Sequence, residues 1–130
     1  MRKSIILTTI ALTLAGCTPS QEQQANAYYG AYPNDYQAVV QSFFAATLKD
    51  PASAQYTFTP PSRGWNALSF ETKYGWRVCG TINAKNGFGG YSGAQPFYTL
   101  VRDGVVIDSI GPVSYSSSMA SLINGACTSG

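Results

Sequence analysis

Phe97-Tyr98-Thr99-Leu100-Val101-Arg102-Asp103-Gly104-Val105-Val106-Ile107-Asp108-Ser109-Ile110 is the stretch that decides the fold. Two runs rich in β-branched and aromatic residues flank Asp103-Gly104, a dipeptide suited to the left-handed angles of a two-residue turn. The spacing predicts a tight antiparallel hairpin. Upstream, Tyr74, Trp76, Val78 and Ile82 alternate with Arg77, Cys79, Thr81 and Asn83, which is strand period over 74–83, and Gly80 interrupts the apolar face. Tyr56 and Phe58, followed by Pro60-Pro61, suggest one more short strand that ends abruptly.

Helices should bracket these strands. Asn34 is a good N-cap, and Tyr36, Val39, Val40, Phe43, Phe44 and Thr47 fall at helical spacing, so residues 35–48 are expected to form an amphipathic helix whose apolar face covers the sheet. Asp50-Pro51 restarts the chain in a helical turn. Near the end, Met119, Leu122 and Ile123 lie on one side of a helix expected over Ser116 to Asn124, with Gly125 as its stop. The expected fold class is α+β: an N-terminal amphipathic helix packed on a small antiparallel sheet of three to four strands, with a short C-terminal helix, stapled by one disulfide.

The start of the chain is of a different kind. Arg2 and Lys3 precede an apolar run from Ile5 to Leu14, too short to span a bilayer as a permanent helix, and Leu14-Ala15-Gly16-Cys17 closes it. These four residues resemble the lipobox of bacterial lipoproteins. The resemblance implies a diacylglyceryl group on the Cys17 sulfur, cleavage before Cys17, and acylation of the new amino group by a fatty acid such as palmitate. An ordinary secretory signal with a chance cysteine is the alternative. One acyl chain binds membranes only marginally, at about 0.8 kcal/mol per buried methylene, whereas two or three hold a protein on the surface without spanning it. Thr18, in place of the aspartate that retains such proteins at the inner membrane, favours the outer membrane, where a lipid-anchored position facing the periplasm is expected. The expected organisation is a signal peptide over 1–16, a lipidated flexible tether over 17–33, and one small domain over 34–130. The tether is Gln-, Ala- and Asn-rich, with Tyr28, Tyr29 and Tyr32 as residues able to dock on the domain.

The formal charge of +2 over 130 residues comes from Arg2 and Lys3, which leave with the signal. Lys49, Arg63, Lys73, Arg77, Lys85 and Arg102 then balance Glu22, Asp35, Asp50, Glu71, Asp103 and Asp108. A neutral, sparsely charged surface gives no long-range field for nucleic acid, so a nucleic-acid partner is not expected. Cys79 and Cys127 remain after lipidation, an even number in a compartment that oxidises thiols, and they are expected to pair; two separate buried thiols are the alternative. Histidine is absent and two cysteines fall short of a four-ligand set, so no metal site is expected.

The least generic stretch is Asn83-Ala84-Lys85-Asn86-Gly87-Phe88-Gly89-Gly90-Tyr91-Ser92-Gly93-Ala94-Gln95-Pro96-Phe97. With Cys79-Gly80 ahead of it and Asp50-Pro51-Ala52-Ser53-Ala54-Gln55-Tyr56 earlier, it resembles a group of small bacterial envelope proteins. They share a DPxSAxF/Y-like turn and a CGxxNAKNxxGGYxGxxxF-like block. That resemblance implies a shared fold and no assigned reaction. Four glycines within 87–93 could expose amides to an anion, but the third dinucleotide glycine, the following helix and a Gly-Lys-Ser/Thr are all missing, so neither nucleotide nor cofactor is expected. In the plainer reading the glycines only shape a wide connection, with Phe88 and Tyr91 packed inward and Asn83 and Asn86 bonding turn backbone.

Without histidine, Ser/His and Cys/His nucleophile systems are excluded. Lys85 with Tyr91 or Ser92, and Glu71 with Asp108, have no diagnostic spacing, and an enzyme is not expected. Two functional readings remain. One is a lipid-anchored binding or structural module that contacts an envelope protein, glycan or peptide through Asn83, Lys85, Asn86, Phe88 and Tyr91, with support from Trp65 and Trp76. The other is a small envelope inhibitor or exclusion factor, which calls for a protruding loop rather than a concave surface.

Overall fold

The computed structural model describes residues 18–67 and 70–128. The signal segment and Cys17 therefore lie outside the described residues. The elements run α1 (Gln21–Asn26), α2 (Tyr36–Ala45), a 3-10 turn (Pro51–Ser53), β1 (Gln55–Phe58), β2 (Ser62–Asn66), β3 (Lys73–Asn83), β4 (Gln95–Arg102), β5 (Val105–Ile110) and α3 (Ser118–Thr128).

The sheet is antiparallel and has five strands, which corrects the expected three to four. β3 is its spine. On one side it pairs with β4, which pairs in turn with β5; on the other side its two halves take different partners. β1 pairs from Gln55 opposite Asn83 to Phe58 opposite Gly80, and β2 from Ser62 opposite Arg77 to Asn66 opposite Lys73. Pro60-Pro61 breaks this edge because proline cannot donate to a ladder. Thr59 bridges the gap: its N–H donates to the Cys79 carbonyl at 2.8 Å, and its hydroxyl accepts the Cys79 N–H at 3.1 Å. β2 escapes a periodicity search because Ser62-Arg63-Gly64-Trp65-Asn66 has no alternating apolar face.

The hairpin between β4 and β5 turns on Asp103 and Gly104, with φ of 53° and 78°, the left-handed pair such a turn needs. Side chains of β3 and β4 alternate between two covered faces. Val78, Ile82, Phe97 and Val101 pack with Val40 and Phe44 of α2, while Cys79, Tyr98 and Leu100 pack with Ile110 and Ile123 beneath α3. Covering both faces explains why Arg77 and Cys79, on the side of β3 read as polar, are buried. The disulfide Cys79–Cys127 ties α3 to the spine across 48 residues.

Both helix boundaries and the tether also need correction. α2 begins after Asp35, not Asn34, and neither gives a side-chain cap; it ends at Ala45. α3 runs through Gly125 to Thr128, since Ala120, Ile123 and Cys127 share the face turned to the sheet and the helix must continue for Cys127 to reach Cys79. Among the described residues the first helical element is not α2 but α1, which lies inside the segment expected to be a flexible tether. Ser20 and Gln23 close it with a reciprocal capping box. Beyond it Tyr29 is buried edge-on to Tyr74, Tyr32 is edge-on to Trp76, and the Trp76 indole donates to the Gly30 carbonyl at 3.0 Å. Aromatic burial offsets an ordering cost that the polar composition alone could not.

Candidate functional site

β3 leaves the sheet at Asn83 and the chain returns at Gln95, so residues 84–94 form a loop at one end of the spine. Lys85 and Tyr91 make an isolated antiparallel bridge at its neck. Asn86 builds the tip: its side-chain oxygen accepts the N–H groups of Phe88 at 2.9 Å and Gly90 at 3.3 Å, and its own N–H donates to the Gly90 carbonyl at 2.8 Å. The Asn83 side chain accepts the Gly93 N–H at 3.0 Å. Asparagine thus satisfies turn backbone that no ladder reaches. Gly89 and Gly93 sit at φ of 79° and 89°, where a side chain is strained.

The neck is clamped to the 3-10 turn. The Ser53 hydroxyl accepts the Lys85 N–H at 2.9 Å and donates to the Asp50 carbonyl at 2.7 Å, while the Tyr91 hydroxyl donates to the Ser53 carbonyl at 3.2 Å. The two sequence blocks, Asp50 to Tyr56 and Cys79 to Phe97, therefore form one structural unit. Phe88 is fully exposed and Tyr91 about half exposed, at 100% and 47%. The inward packing expected of Phe88 is corrected, while Tyr91 leans on the body through Ser53 with half its surface exposed; around the tip a Cβ added at Gly87, Gly89, Gly90 or Gly93 meets nothing within 4 Å. The Lys85 ammonium lies 5.7 Å from the Tyr91 ring centroid, a cation–π contact. Beside the neck a cleft of about 190 Å³ is lined by Leu48, Lys49, Ile82, Ala84, Lys85 and Gln95, among others.

Other residues singled out by sequence lie elsewhere. Lys85 stands at the opposite end of β3 from Glu71, and Asp108 on β5 accepts from the Asn66 amide at 2.6 Å, so the three do not share a cleft. Trp76 lies under the N-terminal segment, and Trp65 lines a cavity on the α3 face. That cavity, about 240 Å³ and bounded by Trp65, Asn66, Arg77, Tyr98, Ile110, Leu122 and Ala126, was not anticipated. An arginine inside a strand with two covered faces was its available signal. Arg77 donates to the Ala126 carbonyl at 2.8 Å and to the Ser62 hydroxyl at 3.2 Å; Tyr98 donates to the Trp65 carbonyl at 3.4 Å. Burial pushes the Tyr98 phenol up to about 12, with Arg77 opposing the shift and Asp108 adding to it. These groups are satisfied by protein partners and seat α3 on the sheet.

Against known proteins, residues 1–18 match the model for the prokaryotic membrane lipoprotein lipid attachment site. No curated protein and no solved structure matches the chain. Among the described residues no helix is long and apolar enough to cross a membrane.

Proposed function

We propose that this bacterial lipoprotein, anchored to the envelope membrane by its lipid, is a non-catalytic binding or structural module whose contact element is the loop 84–94 together with Asn83 at its base. The observation that carries the reading is the full exposure of Phe88 at the tip of a loop whose backbone is held by Asn83, Asn86 and Ser53. A rigid aromatic on a preorganised loop loses little entropy on docking and offers a large apolar surface to a partner's pocket. Lys85 and Tyr91 supply a polar rim at the neck. The partner is an envelope protein, glycan or peptide. Thr18 after the lipidated cysteine favours the outer membrane, and the packed residues from Pro19 onward, α1 included, form the displayed domain on its periplasmic side. The likeness of the two clamped blocks to small envelope proteins fits a shared display scaffold.

The outward projection of the loop also fits a second reading, an envelope inhibitor or exclusion factor that inserts Phe88 into a cleft of its target. Capture from envelope extract tests both readings. The lipidated chain should retain a partner that F88S and the double variant K85A/Y91A lose; identical retention by all three removes the loop from the account. Loss of the captured partner's activity on binding selects the inhibitor, and unchanged activity selects the module.

A further inference from the structure

Two phenylalanines stand fully exposed beyond opposite ends of β3: Phe88 past Asn83, and Phe70 just ahead of Lys73. An eleven-residue strand separates those ends by roughly 33 Å. The position of the lipid distinguishes them. Among the described residues the first buried one is Pro19, whose carbonyl accepts the Gln24 side-chain amide at 2.9 Å. Two peptide links then keep the Cys17 Cα within about 7 Å of the Pro19 Cα. Gln24 and Ala25 share a cleft with Arg63, Gly64, Trp65 and Arg77, beside the half of β3 that pairs with β2 and leads to Phe70, away from the half that leads to Phe88. The following residues reach that end of the sheet: Tyr28 donates to the Asp103 carboxylate at 2.8 Å, and the Tyr29 ring lies edge-on to Tyr74.

That end presents Phe70, Tyr28 and Val105, exposed by 116%, 65% and 56%. Arg63, Lys73 and Arg102 are set against Glu71 and Asp103 there, so the charge is nearly balanced and suits a mixed headgroup layer better than a strongly acidic partner. Aromatic side chains with a polar edge favour the membrane–water interface. We infer that the end of the sheet carrying Phe70, Tyr28 and Val105 rests in the phospholipid surface that holds the Cys17 acyl chains. This second contact fixes the domain upright, with the Phe88 loop facing away from the bilayer. The anchor is thus short and oriented rather than a long swinging tether.

The test uses the lipidated mature chain in nanodiscs of phosphatidylethanolamine and phosphatidylglycerol containing a headgroup spin-labelled lipid. NMR line broadening should be severalfold larger at the amides of Phe70, Gly104 and Val105 than at Phe88 and Gly89. The double variant F70S/V105S should keep its melting temperature and lose most of that gradient. Equal or greater broadening at Phe88, or a gradient unchanged in the double variant, overturns the inference. Protection of the Phe70 end without broadening by the labelled lipid, which signals self-association through a second copy, also overturns it. The nanodisc contains no envelope partner, so the outcome bears on orientation and leaves the Phe88 reading to its own experiment.

Discussion

The Ser53 hydroxyl accepts the Lys85 backbone N–H at 2.9 Å across 32 residues of sequence, and this bond fastens the loop to the turn after α2. The same hydroxyl donates to the Asp50 carbonyl, so both its hydrogen-bonding roles are used. Replacing Ser53 with alanine leaves the Lys85 amide without its acceptor. The S53A variant should lose about 1 to 2 kcal/mol of stability, and hydrogen exchange at the Lys85 amide should quicken more than at Val78. Unchanged exchange at Lys85 would show that the clamp does not order the neck.

Glycines of this chain divide sharply by environment. A Cβ at Gly80 would fall on the Thr57 carbonyl oxygen and within 3.0 Å of the Phe97 ring, because the paired strand β1 lies in close contact with β3 there. G80A should cost about 3 kcal/mol or more and weaken the pairing of β1. Gly89 has open space but φ of 79°, so G89A should cost about 1 kcal/mol through backbone strain alone. Gly87 has open space and no such φ, and G87A should be neutral within about 0.5 kcal/mol. Urea midpoints measured on the three variants check this order.

The Cys79–Cys127 bond closes a loop with a sequence separation of 48. Restricting the unfolded chain to that extent stabilises the fold by about 4 kcal/mol in the chain-entropy model. The double variant C79S/C127S should show a loss of that order in urea unfolding, with α3 the first element to exchange its amides. A change below about 1 kcal/mol would mean that packing of Ala120 and Ile123 alone holds α3.

Tyr98 gives the fold an alkaline limit. Its phenol is buried and pushed up to about 12, against an ordinary value of 10.0, so the native state keeps a proton that the unfolded chain releases. Stability from this group is complete below pH 10 and falls as pH rises toward 12, by about 2 to 3 kcal/mol in total. Tyr98→Phe should flatten that fall while removing the bond to the Trp65 carbonyl. An unaltered stability profile between pH 10 and 12 in the variant would place the limit elsewhere.

Legibility in the sequence followed the strength of each local signal. Asp103-Gly104 has few conformational options, and the hairpin it joins is present. β2 leaves no periodic signal because a strand docked on half of a longer one needs no apolar alternation when its glycine packs against a neighbour's stem: a Cβ at Gly64 would lie 2.9 Å from the Arg77 Cβ. Gly125 has the sequence signature of a stop because glycine often ends helices, yet tertiary packing and the Cys127 bond carry α3 past it. The backbone roles of Asn83 and Asn86 were readable from residue type, since short amides bond nearby N–H groups wherever the chain turns. The outward direction of Phe88 was not, because it depends on Ser53, which lies 32 residues from Lys85 and approaches the neck only in the folded chain.

Photocrosslinking in intact cells from benzoylphenylalanine placed at position 88 decides whether the loop is a contact surface. The same probe at Tyr115, an exposed position outside the loop, serves as the reference. A discrete adduct formed from position 88, absent from position 115 and weakened by K85A/Y91A, is the expected result. No adduct from position 88, or the same adducts from both positions, would contradict a binding role for Phe88.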